Sequence, residues 1–518
     1  MTTHVEVERK FETDQRFTLP DLREVPGLAE VADTRRFTLL ARYYDTEDLR
    51  LARHGITLRR RTGGHDDGWH LKLPRGTQGE RQELRRPAGD PEEAEETVPL
   101  DLAELVLAYT RGAVLVPVAE LRTDRTERAL LGDGGTVLGR LADDRVTGLR
   151  LDQLGDGVTS WRELEVELAD GTPELLAAVG DHLIGSGARS SDAPTKLSVV
   201  LGDDAANGER PRRSRTAAEA MTRYLRSRTD RMLSYDPLVR LADHDDDSVH
   251  KMRTSIRRLR SILRTHRRLL EGEKPAVLDS ELKWLADGLG EVRDLEVLQA
   301  RFHRQLDELG GPDEVGRGPA QPEPGWLSDL ALEERAARAR LRDQLRTARY
   351  MALLDRLDAF LADPPVTERA RRSARKQERK QERKQERKTI ARARRKMMRK
   401  HKKAEALPPG PERDAELHGT RKAAKRLRYT AEAAVPVLGK PARRVARRAK
   451  KVQDVLGAHQ DGIVASQHLK EIAGDPQIST ADAFTLGTLV TLQKYSDRLD
   501  ELPRVWAKAS DKKLLKRL

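Results

Sequence analysis

The chain contains no cysteine, so disulfides and thiolate metal sites are excluded and a reducing compartment is compatible with it. Aromatic residues make up only 4% of it, which leaves little to stack on nucleobases. No apolar run reaches the roughly 18 residues needed to span a bilayer. The first residues lack the basic-then-apolar pattern of a secretory leader. No membrane partner and a cytoplasmic location are the expectations.

Charge is what the chain has in abundance. Asp, Glu, Lys and Arg account for 35% of the 518 residues, with a net charge of +13. A chain of this length exceeds one core, and two to four domains are expected. The charge is uneven: residues 1–200 carry about 27 Lys and Arg against about 37 Asp and Glu, and the remainder about 71 against about 48. An acidic first part and a basic second part imply different jobs and a polyanionic partner for the second. Nucleic acid, an anionic membrane and inorganic polyphosphate all qualify at this point.

The stretch "GDDAANGERPRRSR" has no apolar periodicity and reads as a linker, placed at 202–214. Before it, at 1–201, come alternating segments parted by Gly and Asp turns, such as "GITLRRRTGG", "GWHLKLPRG" and "SWRELEVELADG". These predict antiparallel strands, with helices near 101–110 and 173–186. After it, at 215–518, Leu/Ala/Arg segments have helical period. "VHKMRTSIRRLR" (249–260) matches "LHGTRKAAKRLR" (417–428), and "LGEVRD" (289–294) matches "LGAHQD" (456–461), at nearly one offset. That predicts a duplicated helical unit, about 215–310 and 366–470, packed as a bundle. "KQERKQERKQERK" (376–388) has period four; its residues drift about 40° per repeat around a helix, so a solvated low-complexity insertion is expected.

In "HVEVERKF" (4–11), Glu6, Glu8 and Lys10 alternate with Val5, Val7 and Arg9, so a strand puts both signs of charge on one face. The pattern recurs with Arg59 and Arg61, with His70 and Lys72, and with Glu163, Glu165 and Glu167. A single such strand reads as a wet outer face. Four of them point to a barrel with the charges turned inward. Clustered carboxylates without thiols suit Mg²⁺ or Mn²⁺, and facing Arg and Lys grip phosphate oxygens. Metal-assisted chemistry at a phosphoanhydride follows.

These residues resemble the CYTH domain, the triphosphate tunnel metalloenzymes. "EVERK", "RYYDTEDLRLARHGITLRRR", "HLKLP", "ELEVELADG" and "TKL" stand here in that family's order. The resemblance implies an eight-stranded antiparallel tunnel that binds a triphosphate with a divalent metal. It implies metal-side acids at Glu6, Glu8, Glu163 and Glu165, and phosphate-side bases at Lys10, Arg59, Arg61, Lys72 and Arg125, with Lys196 as a late lysine. Glu6, Glu8 and Lys10 are the catalytic candidates. Asp143 is a further acid with Asp144 in competition for the role, and Arg81 a further base.

In the basic repeat, His250, Arg253, Arg257 and Arg260 fall within an arc of about 80° on a helix, and His418, Arg421, Lys425 and Arg428 repeat them. Met252, Ile256, Leu259 and Ile262 form the apolar side. Earlier helices add Arg228 and Arg231, and Lys396 and Arg399. The histidines lack a second ligand at metal spacing. These features resemble the CHAD domain, which is associated with inorganic polyphosphate, and Asp294 and Asp461 are expected to orient neighbouring bases or cap helices. Basic stripes without interleaved aromatics argue for polyphosphate and against nucleic acid.

The expectation is an α+β chain of two domains: an antiparallel eight-stranded β-tunnel, then an all-α helical bundle with internal duplication. Its expected function is metal-dependent hydrolysis of inorganic triphosphate or a related triphosphate, joined to polyphosphate binding and a place at polyphosphate granules. The alternatives are a non-enzymatic polyphosphate-binding protein and, third, a class IV-like adenylate cyclase. The sequence leaves the oligomeric state open.

Overall fold

A computed structural model describes residues 2–64, 66–74, 80–87, 97–151, 157–191, 195–205, 216–241, 247–309, 324–371, 376–476, 478–495, 498–511 and 513–516. The chain forms two compact units, Met1–Arg212 and Arg213–Leu518. Of the expected linker only residues 202–205, a short 3₁₀ turn, are described.

The first unit is built on an antiparallel sheet: β1 (Thr2–Thr13), β2 (Glu30–Asp45), β3 (Thr57–Thr62), β4 (Gly68–Pro74), β5 (Glu80–Pro87), β6 (Val116–Leu131), β7 (Val137–Arg150), β8 (Val158–Leu168) and β9 (Arg189–Ser190). Their order is β5-β4-β3-β2-β6-β7-β8-β1-β9. β1 changes partner along its length: Thr2–Val7 pairs with β5, and Glu8–Thr13 with β8. Among the described residues the strands number nine, one more than the eight expected, because Arg189 and Ser190 pair with Glu12 and Phe11 as a two-residue strand.

Period-two alternation sorts the side chains. Phe11, Leu130, Leu141, Leu164 and Val166 are buried together with Leu175, Leu176, Val179 and Leu183, the apolar stripe of α1 (Pro173–Gly185). Thr172 starts that helix by accepting a hydrogen bond from the Leu175 N–H, and Pro173 fits its first turn. Each such buried side chain contributes roughly 1.5–3 kcal/mol. Because residues i and i+2 share a face, this packing commits Lys10, Glu163 and Glu165 to the opposite one. A second layer places Leu197, Val200 and Leu201 of α2 (Lys196–Leu201) against Ala119, Leu121 and Val146.

The second unit is helical: α3 (Ala217–Leu233), α4 (Ser248–Thr265), α5 (Lys274–Glu308), α6 (Gly325–Arg346), α7 (Ala348–Ala362), α8 (Lys376–Glu405), α9 (Pro411–Ala433), α10 (Lys440–Ala473), α11 (Thr480–Tyr495) and α12 (Leu502–Ser510). α4 packs between α3 and the 35-residue α5, while α9 packs between α8 and the 34-residue α10; α4 and α9 also touch. The predicted apolar stripe of α4, Met252, Ile256, Leu259 and Ile262, is buried. Among the described residues no helix is long and apolar enough to cross a membrane.

The low-complexity segment departs from expectation. It opens α8, and the side chains of 376–382 lie outside the described residues. Its last copy is not wholly solvated: Glu386 is buried, with Oε1 3.3 Å from His266 Nε2. Glu386 begins a buried stripe that continues through Ile390, Arg394, Met397, His401 and Ala404. The apolar period following the repeat fixes the helix's rotation, and Glu386 is carried inward with it.

Candidate functional site

Seven charged residues of the sheet unit form one network. Lys10 Nζ lies 2.7 Å from Glu165 Oε1 and 3.4 Å from Glu8 Oε1. Arg125 donates to both oxygens of Asp144, at 2.8 and 2.7 Å, and to Glu165 Oε2 at 2.9 Å. Lys196 Nζ is 3.0 Å from Asp144 Oδ2, 2.6 Å from Glu163 Oε1 and 2.7 Å from Glu165 Oε1. Trp161 Nε1 donates to the other Glu163 oxygen at 2.6 Å. Burial by itself favours neutral Glu165 and Asp144, yet Lys10, Lys196 and Arg125 beside Glu165, and Lys196 and Arg125 beside Asp144, outweigh it and hold both below their ordinary values. Burial likewise opposes the ammonium of Lys196, but Glu163, Glu165 and Asp144 hold it well above the usual lysine value.

A second group lies on β3, β4 and β5. Arg59 Nη1 donates to Tyr43 Oη at 3.1 Å. Arg61 pairs with Asp66. Glu83 faces three bases: His70 Nδ1 at 2.9 Å, Lys72 Nζ at 3.7 Å, and Arg85. Burial works against the Glu83 carboxylate, but His70, Lys72, Arg59 and Arg85 hold it far below the usual range. Burial and neighbouring Arg59 bring the Arg61 guanidinium down to about 10. Burial pushes the Tyr43 phenol up, while Arg59 and then Lys196 and Lys10 more than offset it. Tyr43 thus stands in the field of both groups.

The structure therefore brings together Glu8, Lys10, Arg125, Glu163, Glu165 and Lys196, and gathers Arg59, Arg61 and Lys72 in the second group. The side chains of Glu6 and Arg81 lie outside the described residues, although their backbones pair across β1 and β5. Of the two competing aspartates, Asp144 lies with the other acids and Asp143 does not. Asp144 is fully buried opposite Glu163 in the β7–β8 register, whereas Asp143 points the other way and takes both donors of Arg162 at 2.9 and 2.8 Å. Sequence reasoning missed Glu83, Asp66, Tyr43 and Trp161. A signal for Glu83 was present: Glu83 and Arg85 alternate in "ERQELRR" as the other site charges do.

In the helical unit, Arg257 is half-buried and depressed in basicity by burial, and next by Arg253, Arg421 and Arg428 around it. Arginines of α4 and α9 thus lie near one another. Two glycines lie beneath these arginines. A Cβ at Gly290 would lie 3.1 Å from Arg253 Nη2, a tight approach, whereas one at Gly457 would meet Arg421 Nε at an ordinary contact distance of 3.5 Å. Arg253 Nη1 reaches Asp294 at 3.5 Å. Burial raises the Asp461 carboxyl above its usual value, against the pull of Arg421. Lys425 is half-buried on the same helix.

The other basic candidates are more dispersed. Arg260 shares Asp279 with Arg264, and Arg428 donates to Glu432 at 2.8 Å. Arg228 lines a cavity of about 300 Å³ with Tyr224, Arg258, Glu432 and Arg443. Arg231 lies over the Tyr235 ring, while Lys396 and Arg399 are exposed. Burial depresses the basicity of His250 and His418, and nearby arginines and lysines add to that.

Asp144, Glu163 and Glu165 offer three ligand oxygens within 4.8 Å of one another. An all-oxygen set fits a hard divalent cation. A sheet with acids and bases interleaved on one face, followed by helices that bring arginines close together, defines a two-domain α+β protein. A family model described as the CYTH domain matches residues 4–190, and one described as the CHAD domain matches 223–470. The uncharacterized protein Rv2226 of Mycobacterium tuberculosis is 35% identical over 499 residues, spanning 94% of this chain and 92% of its own length. The chain belongs to this family, in which a CYTH domain is followed by a CHAD domain. Among solved structures, PptA from Streptomyces chartreusis has a TM-score of 0.43 at 20% identity, covering 57% of this chain and 99% of its own. The CHAD domain of the plant Ricinus communis has a TM-score of 0.42 at 25% identity, covering 57% and 96%.

Proposed function

We propose that the sheet unit hydrolyses inorganic triphosphate, or a related triphosphate, with Mg²⁺ or Mn²⁺, and that the helical unit binds inorganic polyphosphate. CYTH domains are triphosphate tunnel enzymes, and the double pairing of β1, with β5 and with β8, supports a sheet wrapped around its charged face. The observation that carries the reading is the close set of Asp144, Glu163 and Glu165 in ion pairs with Lys10, Arg125 and Lys196.

Asp144, Glu163 and Glu165, with Glu8 and Glu6 on the adjoining strand, would hold the cation. When bound, it neutralises phosphate charge and lowers the pKa of an attacking water. Arg59, Arg61, Lys72 and Arg125 bind and align the phosphate chain, Arg through paired N–H groups. Lys10 and Lys196 compensate charge where the acids and the anion meet. Water adds to the terminal phosphorus, its P–O bridge breaks, and phosphate and pyrophosphate leave.

Phosphate release from triphosphate with Mg²⁺ or Mn²⁺ tests this. The wild type is expected to release phosphate, and Glu165→Gln to lose about 10²-fold or more, as expected when an electrostatic element of the site is removed. Retained polyphosphate binding with no phosphate release would instead make the chain a binding protein. Cyclic AMP and pyrophosphate from ATP would make it a cyclase.

A further inference from the structure

Lys196 occupies an unusual position among the bases of the sheet unit. Its single nitrogen sits 2.6–3.0 Å from an oxygen of each of Asp144, Glu163 and Glu165, the same three carboxylates that offer ligand oxygens to a metal. Lys10, its neighbour in the network, pairs with Glu165 and Glu8. Lys196 is the first residue of α2, which is capped by reciprocal Thr195–Ser198 hydrogen bonds and anchored by buried Leu197, Val200 and Leu201. The backbone is thus held, while the side chain is a four-carbon stem with rotatable bonds. An ammonium and a divalent cation repel, so while the ammonium stays at 2.6–3.0 Å the three carboxylates hold the cation less tightly.

We infer that Lys196 is a built-in counter-ion for these carboxylates, displaced when a divalent cation enters and transferred to a phosphate oxygen of the incoming triphosphate. This rests on the proposed metal and triphosphate site. It adds a consequence: the cation and the triphosphate bind cooperatively through one side chain. The cation frees the ammonium that the anion needs, and the anion accepts the ammonium that blocks the cation. Reciprocity of linkage requires each to tighten the other by the same factor.

The test is Mn²⁺ titration of the full-length protein, followed by the electron paramagnetic resonance of free Mn²⁺, with and without a methylene-bridged triphosphate analogue. Lys196→Met is expected to bind Mn²⁺ about fivefold or more tightly than wild type without the analogue, a coupling of ordinary size. The tightening produced by the analogue should shrink in that variant. Lys10→Met removes an equal charge from the same network and is expected to gain distinctly less. Equal or weaker Mn²⁺ binding in Lys196→Met overturns the inference, as does an equal gain in Lys10→Met, which would reveal only a general field. Absence of Mn²⁺ binding in wild type and both variants instead overturns the metal reading and takes this inference with it.

A measurement on the wild type covers a variant that fails to fold. Reductive methylation mapped by mass spectrometry should find Lys196 protected in the metal-free protein. It should become reactive with Mn²⁺ alone and protected again with Mn²⁺ and the analogue. Reactivity unchanged by Mn²⁺ overturns the inference.

Discussion

At the scale of single residues, one step along β7 separates two aspartates of different fate. Asp144 is fully buried between Arg125 and Lys196, and Asp143 faces Arg162 on the other side. Asp144→Asn is therefore expected to lower phosphate release from triphosphate by about 10²-fold or more, with Asp143→Asn within a few-fold of wild type; steady-state rates decide it. The acids also set a pH response. Glu165, Asp144 and Glu83 are all held below the carboxylate values of 4.5 and 3.8. A depressed carboxylate stabilises the fold fully above its unfolded pKa, and that stabilisation is lost as pH falls through the folded one. Thermal melts should show these groups contributing constant stability from pH 7 to 5, then a falling melting temperature below about pH 4.

At the scale of elements, two periods do most of the sorting. Period two drives Leu164 and Val166 onto α1 and leaves Glu163 and Glu165 on the other face. The helical period buries Ile256 and Leu259 of α4 while Arg257 joins the arginines of α9. Leu259→Ala is expected to cost about 2–5 kcal/mol and Lys422→Ala, on the exposed face of α9, less than about 0.5 kcal/mol. Chemical denaturation followed by the helical circular dichroism signal compares them. The same periodicity explains the miss on the low-complexity helix. A four-residue repeat has no apolar face by itself, and only the residues after it show which side turns inward. The two motif glycines teach a similar lesson. Gly290 and Gly457 weaken their helices by about 1 kcal/mol each relative to alanine, and at Gly290 the Arg253 guanidinium lying across it leaves a Cβ little room.

At the scale of the molecule, the first 200 residues are net acidic and the rest net basic. Under the proposed function this separates turnover from retention of long anions, and the two losses should be independent. Glu165→Gln is expected to lower phosphate release from triphosphate by about 10²-fold or more and leave polyphosphate affinity unchanged. Arg257→Ala with Lys425→Ala is expected to weaken polyphosphate binding and flatten its salt dependence, because each cation removed releases one fewer counter-ion. Titrations at several salt concentrations read the second effect; unchanged affinity and slope would assign both side chains to a merely solvated face.

What the sequence determined alone were the features written in local order: the periods of strand and helix, the charges that alternate with apolar residues, and the repeated motifs. These rest on backbone geometry, which is the same wherever a segment lies. Only the tertiary structure decided which aspartate of "LADDRV" joins the acids, that Glu83 neutralises a cluster of bases, and that Lys196 rests against three carboxylates. Each of those depends on strand register or on approach between distant segments, such as the 52 positions separating Asp144 from Lys196. A shift of one residue in pairing would have turned the same charges to the opposite face.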